Sequence, residues 1–372
     1  MPVRSLSLHA GYQCAHSGAC CRTPWDVPVE ARAHQAMAAG LASGQVRPAA
    51  DPFQQGPDLP AGVVAILRRG PDGACTFLDA DRLCAVHRGL GASALPATCR
   101  IFPRIALTDG RGTSITLSHY CPTAARLLLR TDLPLAIIDA PPAFPPADYE
   151  GLDATDAWPP TLRPGVLMGL DGHAAWERHA VAVLAQSPSA VSALALLAQS
   201  VAQLAGWQPG GASLVEAIAG CAAADGPPAA ERGGTTPEAP ARAWSEARYV
   251  EALATVPDAL RDMSDELPGD EGWRLAAEGW PRVDHGARAY VAAHAFANWT
   301  AYQGDGLPVW LASVAAPLAV LAVTAARQCQ MANRPLDDNL FVEAVRQADL
   351  LLRHLASREA LVRTWSGSSI GA

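Results

Sequence analysis

Seven of the nine cysteines lie in the first third of the chain, and this clustering is the strongest chemical signal in the sequence. In a reducing compartment, grouped thiols are typical of metal ligands or catalytic groups rather than of disulfides. The other two, Cys221 and Cys329, stand alone and are predicted to be small buried hydrophobic residues. The candidate metal ligands are Cys14, Cys20, Cys21, Cys75, Cys84, Cys99 and Cys121.

The spacing of these cysteines matches no common metal-binding motif. It contains neither the paired CxxC of a zinc ribbon nor the dense run of a bacterial ferredoxin. Seven thiolates also exceed the four that one zinc ion or one [4Fe–4S] cluster needs. Either a subset binds and the others are structural, or two metals are bound, or one position is exchangeable. Thiolates suit both metals, and the spacing favours iron–sulfur over zinc. His87, in a C-x2-H pattern with Cys84, is a further candidate ligand.

Predicted turns and a helix start would position the later cysteines. Cys75 and Cys84 flank a short D-A-D turn and are predicted to lie on a tight hairpin. A second hairpin, with strands at 101–107 and 113–117, precedes Cys121. A proline follows Cys121, which predicts a helix N-terminus there. The partial positive charge of that terminus would lower the pKa of the Cys121 thiol.

The rest of the sequence predicts mostly helices. The predicted fold class is α+β, mostly α: a small cysteine-rich metal-cluster module with short hairpins, followed by a helical domain. The predicted boundaries are 1–130 for the module, 131–165 for a proline-rich connection and 166–372 for the helical domain, which contains a mobile loop near 223–243. Helices are predicted at 28–42 and near 241–264, 285–302, 307–330 and 337–363.

The net charge and the apolar segments argue against several classes of function and location. The net charge of −8 argues against a nucleic-acid-binding surface. The N-terminus lacks the apolar core of a signal peptide. The longest apolar run, 310–326, is at the lower limit for a membrane span and is predicted to be a buried helix instead. We therefore expect a cytoplasmic protein without a membrane span. The 28 lysine and arginine residues are all arginines, and the chain has no lysine.

The residues around the cysteines resemble the flagellin lysine-N-methylase family, within the wider YkgJ-type zinc- or iron-chelating cysteine-cluster proteins. The resemblance covers Cys14 to Leu129 and rests on CAHSGACC, CTFLDADRLCAVH, LPATCRIFPR and CPTAARLLL. The helical second half is similar in position and character. Its stretches ARAYVAAHAFANWTAYQ and LDDNLFVEAVRQADLLLRHL show no catalytic motif of their own.

This resemblance implies a protein lysine N-methyltransferase. It would transfer a methyl group from S-adenosylmethionine to a flagellin-type acceptor and hold an iron–sulfur cluster, 4Fe–4S, on these cysteines. The chain lacks the glycine-rich nucleotide loop of an ordinary Rossmann methyltransferase. Arg100 or Arg104 would clamp the donor carboxylate. Tyr120 and Asp79 are candidates for the base that deprotonates the lysine.

Two other functions fit the same residues. One is a non-catalytic zinc- or iron-binding protein that serves in metal handling. The other is a redox or oxygen sensor whose helical domain binds a partner. The long helical half favours the enzyme, because a chelator would not need it. The sequence leaves open which cysteines bind, which metal they bind, the acceptor protein, the base and the oligomeric state.

Overall fold

A computed structural model describes residues 2–57, 59–147, 149–224, 237–257, 266–303 and 306–367. Backbone contacts divide the chain into two compact units. The first, here called the cysteine-rich unit, comprises Gln13–Arg104 and Cys121–Thr123. The second, the helical unit, comprises Met1–Tyr12, Ile105–Tyr120 and Ala124–Ala372. This division differs from the predicted boundary at residue 130, because Met1–Tyr12 and Ile105–Tyr120 precede that boundary and yet belong to the helical unit.

The strands are short and belong to three sheets. The bounds are β1 Val3–Leu6, β2 Pro28–Glu30, β3 Phe53–Gln54, β4 Val63–Leu67, β5 Arg104–Asp109, β6 Gly112–Leu117, β7 Ile137–Asp139, β8 Gly151–Asp153, β9 Thr161–Arg163 and β10 Val166–Leu167. One sheet has five strands in the order β7-β1-β6-β5-β8, another has the order β2-β4-β3, and β9 pairs with β10.

Long-range strand pairing explains why residues 1–12 and 105–120 share the helical unit. β1 runs parallel to β6, with Val3 opposite Thr113, and antiparallel to β7. β5 runs parallel to β8, with Leu107 opposite Leu152. The predicted proline-rich connection at 131–165 contributes strands of its own. It supplies β7, β8 and β9, and its prolines flank these strands rather than interrupt them.

Helices dominate the fold, as predicted, with 52% of the described residues helical and 12% in strands. The helix bounds are α1 Ala31–Ala42, α2 Ala85–Leu90, α3 Ala97–Ile101, α4 Pro122–Leu127, α5 Gly169–Gln186, α6 Ala190–Leu204, α7 Leu214–Ala224, α8 Arg242–Ala254, α9 Asp270–Ala295, α10 Leu307–Ala332, α11 Asp338–Asp349 and α12 Arg358–Gly367. The segment Leu350–Leu355 forms a π-helical turn between α11 and α12.

Several predicted bounds are corrected. Residues 28–30 form β2 rather than the start of a helix, because they pair with β4. The helix predicted at 285–302 begins much earlier, at Asp270, and continues through Pro281. The strand predicted to begin at 101 starts at Arg104, because Ile101 still belongs to α3. The predicted loop at 223–243 overlaps the ends of α7 and α8, and its residues 225–236 lie outside the described residues.

The core of the helical unit is built around α10. The predicted buried helix at 310–326 lies within it and is confirmed. By length and composition α10 is apolar enough to cross a membrane, but 89% of its most apolar 18-residue window is buried inside the protein. α8, α9 and α11 pack against it. Such burial is typical of a core helix.

The cysteine-rich unit has a separate small core. It includes Val29 from β2, Met37 from α1 and Phe77, each no more than 1% exposed. Cys75, Cys84 and Cys99 pack against this core, as do several other side chains that are partly buried. The three thiols therefore lie at the border between apolar packing and solvent.

Gly279 in α9 is closely packed and Gly220 in α7 is not, so alanine at these two positions should change the stability in opposite directions. At Gly279 a Cβ atom would collide with the backbone of Leu336, whereas at Gly220 in α7 it would meet nothing within 4 Å. We expect Gly279→Ala to lower the free energy of unfolding by about 2 kcal/mol through overpacking. Gly220→Ala should raise it by about 0.5–1 kcal/mol, because it restricts the unfolded chain. Urea denaturation of both variants checks this, and equal effects would contradict it.

Candidate cysteine site

Five of the seven predicted thiols line one cavity in the cysteine-rich unit. The cavity measures about 30 Å³, which is room for one or two water-sized groups. The rest of its wall is apolar apart from Arg68 and Arg69. The five thiols are those of Cys20, Cys21, Cys75, Cys84 and Cys99.

A short turn and a strand bridge bring the first thiols together. Cys20 and Cys21 lie in a 3-10 turn that begins after Gly18, whose φ of 73° is left-handed and favours glycine. The backbone N–H of Cys75 donates to the carbonyl of Cys21 over 2.7 Å. This bond joins the turn to the residue that pairs with Arg69 in an isolated β-bridge.

The other two thiols lie at short helices. Cys84 directly precedes α2, and Cys99 lies within α3. Cys84 also pairs with Leu78 in a β-bridge, so the predicted tight turn before it is confirmed. That turn is closed by Asp79, whose Oδ1 accepts from the N–H of Leu83 over 2.9 Å.

Hydrogen bonds among three thiols separate their pKa values. The Cys21 thiol bonds to both Cys20 and Cys84, which raises its own pKa and lowers that of Cys20. The bond from Cys21 to Cys84 lowers the pKa of Cys84 to about 6, and backbone N–H groups at the start of α2 contribute to this lowering. Burial raises the pKa values of Cys75 and Cys99. At neutral pH the cavity therefore holds thiolate at Cys84.

The structure does not bring the remaining predicted ligands to this cavity. Cys14 is exposed, and its sulfur accepts from the backbone N–H of His16 over 3.4 Å. His87 is also exposed, and its ring centroid lies 6.3 Å from that of His16. Cys121 is 6% exposed and directly precedes α4, so its predicted place at a helix start is confirmed.

The geometry of the thiols is not that of a formed metal site. Within the described ranges, no group of three or more Cys, His, Asp or Glu side chains is arranged to hold a metal ion. The donor chemistry does fit a thiophilic metal, because five sulfurs share one cavity and two of them have lowered pKa values. The predicted metal-cluster module, with zinc or iron–sulfur, therefore stays a prediction.

The predicted residues for donor binding and for the base make other contacts. Asp79 forms an ion pair with Arg88 at 2.7 Å in addition to closing its turn. Arg100 Nη1 donates to the Leu95 carbonyl over 3.1 Å, and Arg104 Nη1 donates to the Arg100 carbonyl at the same distance. None of the three predicted residues lines the cysteine cavity.

Arg69 is a residue of this cavity that sequence reasoning missed. Its guanidinium donates to Thr23 Oγ1 over 3.1 Å and to the Trp25 carbonyl over 2.5 Å, which fixes its position. Its positive charge opposes the effect of burial on the pKa of Cys75. The sequence feature that could have indicated Arg69 is its position six residues before Cys75 in LRRGPDGAC.

A second chemical feature that the sequence did not reveal is a buried polar network in the helical unit. It is centred on Asp349, which has no exposed surface. Asp349 Oδ2 accepts from Ser118 Oγ over 2.8 Å and from the His119 N–H over 2.7 Å. Its Oδ1 accepts from Arg353 Nε over 3.1 Å and lies 3.3 Å from His294 Nε2. All five residues belong to HAFANWTAYQ, LSHYCP or VRQADLLLRHL.

Burial controls the charges in this network. It lowers the pKa of His119 to about 3 and those of His294 and His354 to about 4. Burial alone would raise the pKa of Asp349, but contacts with His294, Arg353 and His119 hold it well below its usual value. The network at neutral pH is thus an aspartate and an arginine among neutral histidines.

Tyr120, a predicted base, belongs to this network. It is 6% exposed, and its backbone N–H donates to Asp349 Oδ2 over 3.2 Å. The Arg346 guanidinium lies 5.2 Å from its ring centroid, and the His354 ring lies 6.0 Å away. These contacts are typical of a packing role within the helical unit.

Similarity to named proteins is limited to a short stretch. The chain is 44% identical over 57 residues to the flagellar biosynthetic protein FliU of Salmonella muenchen, which is 15% of this chain and 34% of FliU. It is equally identical over 57 residues to a lysine-N-methylase of Salmonella typhimurium strain LT2, of which the match covers 14%. A lysine-N-methylase of Salmonella choleraesuis matches to the same extent. No family model and no solved structure matches the chain.

Proposed function

We propose that this chain is a protein lysine N-methyltransferase with a flagellin-type acceptor, and that it uses S-adenosylmethionine and a cysteine-bound iron–sulfur cluster. The observation that carries the proposal is the convergence of five thiols on one cavity in a chain partly similar to proteins named lysine-N-methylase and FliU. The names belong to those relatives, and the match spans a small part of each.

The thiols that line the cavity are the ones that would hold the cluster. Cys84, whose pKa is about 6, would bind as a thiolate without a large cost of deprotonation, and the bond from Cys21 also lowers the pKa of Cys20. The rest of the donor set would come from among Cys21, Cys75 and Cys99 once metal binding displaces their protons. A [4Fe–4S] cluster takes at most four thiolates, and a set of three would leave one iron open. When bound, such a cluster would supply an iron that can ligate the amino-acid end of the methyl donor.

The positive charge of Arg69 is well placed to support the same chemistry. Thiolates in an apolar cavity repel each other, and a fixed guanidinium beside them lowers that cost. Arg69 is fixed by its bonds to Thr23 and Trp25. The acceptor lysine must lose its proton before its nitrogen attacks the methyl group. Because Asp79 closes a turn and Tyr120 packs in the helical unit, we assign that proton to neither residue.

A labelling assay tests the proposal. The protein would be purified anaerobically, loaded with iron and sulfide, and incubated with flagellin and S-adenosylmethionine carrying a labelled methyl group. Because the chain has no lysine, any labelled methyl-lysine in the hydrolysate must come from the acceptor. We expect label with loaded protein and none with chelated protein. Metal binding without methylation would instead favour the metal-handling alternative.

A further inference from the structure

The helical unit contains a second cavity, of about 60 Å³, whose lining differs from that of the cysteine cavity. Two arginines and two indole rings form much of its wall, together with short polar and aliphatic side chains. The lining residues that matter here are Trp299, Arg353, Arg358, Trp365, Asn298 and Ser313.

Arg358 brings a positive charge to this cavity. Its guanidinium lies 4.6 Å from the centroid of the Trp299 ring, in cation–π geometry. Burial lowers its pKa to about 10, and the neighbouring charge of Arg353 adds to this effect. Arg358 is therefore still a cation at neutral pH. Among the residues that the structure describes, none forms an ion pair with it, so its desolvation is not offset by a counter-charge.

The neighbouring groups do not neutralise that charge. Arg353 is already paired with Asp349 through Nε at 3.1 Å, and its Nη2 donates to the Ala293 carbonyl over 3.2 Å. His294 is neutral at pH 7, because burial lowers its pKa to about 4. The cavity therefore carries an excess positive charge, located on Arg358.

The Trp299 indole brings a hydrogen-bond donor to the cavity. Asn298 Nδ2 donates to Ser313 Oγ over 2.9 Å, and its Oδ1 accepts from the Thr300 N–H over 2.8 Å, so the amide is satisfied. Trp299 Nε1, in contrast, is buried and has no hydrogen-bond partner within the described part of the chain. A ligand that fits these groups must bring acceptor oxygens and a negative charge.

We propose that this cavity binds the carboxylate group of a small organic acid, with Arg358 as its anchor. A carboxylate is planar and accepts two parallel hydrogen bonds from one guanidinium edge, which a spherical anion cannot do. The Trp299 indole N–H would supply a further donor. The small volume and the apolar walls at Pro317 and Leu361 suit a short aliphatic substituent. The proposal stands on this cavity alone and does not depend on the methyltransferase assignment.

Fluorine NMR of the full-length protein tests this site, with trifluoroacetate as the anionic probe and trifluoroacetamide as the neutral one. We expect saturable broadening of the trifluoroacetate signal, reversed by acetate, and no broadening of trifluoroacetamide. Arg358→Gln should weaken binding at least ~10-fold, the scale of one lost charged hydrogen-bond pair. Arg363→Gln, at an exposed position on the same helix, is the matched control and should bind as the wild type does.

Two further measurements separate a binding site from a structural role. Arg358→Lys keeps the charge but cannot form the paired hydrogen bonds, so it should fold normally and still bind the probe more weakly. If Arg358→Lys binds with unchanged affinity, or if chloride displaces the probe as well as acetate does, the carboxylate site is refuted. Equal binding by Arg358→Gln and Arg363→Gln would refute it as well.

Discussion

Replacing Cys84 with serine is expected to abolish stable metal binding by this protein. The Cys84 thiol has a pKa of about 6, so it is largely thiolate at neutral pH, and it is hydrogen-bonded to Cys21. Serine keeps the size of the side chain but offers a hydroxyl that is not deprotonated at neutral pH. Loss of even an outer-shell partner costs about 10–100-fold in metal affinity, so loss of a ligand should cost more than ~100-fold.

Two cysteine variants serve as controls for this prediction. Cys14→Ser changes an exposed thiol outside the cavity lining, and Cys221→Ser changes a buried thiol of the helical unit. Both should retain the metal content of the wild type after anaerobic loading, measured by elemental analysis and by absorption. A loss in Cys14→Ser as complete as in Cys84→Ser would show that the cavity does not define the site. Retention of metal by Cys84→Ser would refute its role as a ligand.

The clustering of cysteines predicted a shared cavity because residue type is visible in the sequence. Cys20, Cys75 and Cys99 are far apart in the chain, yet they line one cavity. Their identity alone suggested convergence, since isolated thiols rarely gather in a reducing compartment without a role. Cys14 and His87 are exposed and do not line this cavity, because sequence proximity to a ligand does not fix the direction of a side chain, and their role as ligands stays a prediction.

Local patterns also predicted the elements better than their assembly. The apolar run that became α10 is long and continuous, so its burial followed from composition. The pairing of Val3 with Thr113 joins residues more than a hundred positions apart, and no periodicity encodes such a contact. This pairing is what places residues 1–12 in the helical unit rather than in the cysteine-rich one.

The Asp349 network was missed for a related reason. Its members come from three segments that are distant in the chain: Ser118 and His119 directly follow β6, His294 lies in α9, and Asp349 and Arg353 lie at the end of α11 and in the π-helical turn. Ser118 and Asp349 are separated by 231 residues along the chain. Only the folded structure shows that one carboxylate accepts bonds from both of these distant segments, and that the histidines around it are neutral.

This network predicts a steep loss of stability in mild acid. His119, with a pKa of about 3, and His294 and His354, at about 4, bind protons in the unfolded chain near pH 6.5 but not in the folded one. The unfolded state therefore holds more protons, and the free energy of unfolding falls as pH falls from about 6.5 towards 4. The pKa of Asp349 is lowered in the folded protein, so Asp349 further reduces the free energy of unfolding only at pH values below about 3.9, the pKa of an aspartate in the unfolded chain.

The expected slope is at least about 3 kcal/mol per pH unit, which corresponds to two or more protons after allowance for the shared contacts with Asp349. His173, whose pKa burial lowers to about 4, and His9, whose pKa burial also lowers, add to it. Urea denaturation at several pH values between 7 and 4.5 measures it. His354→Gln removes one such histidine and can keep the bond that His354 makes to Ser118 over 2.7 Å, so its slope should be smaller by about 1.4 kcal/mol per unit. A wild-type slope near zero would mean that these histidines take up protons within the folded protein. The contacts with Asp349 would then stabilise the imidazolium form by more than burial destabilises it.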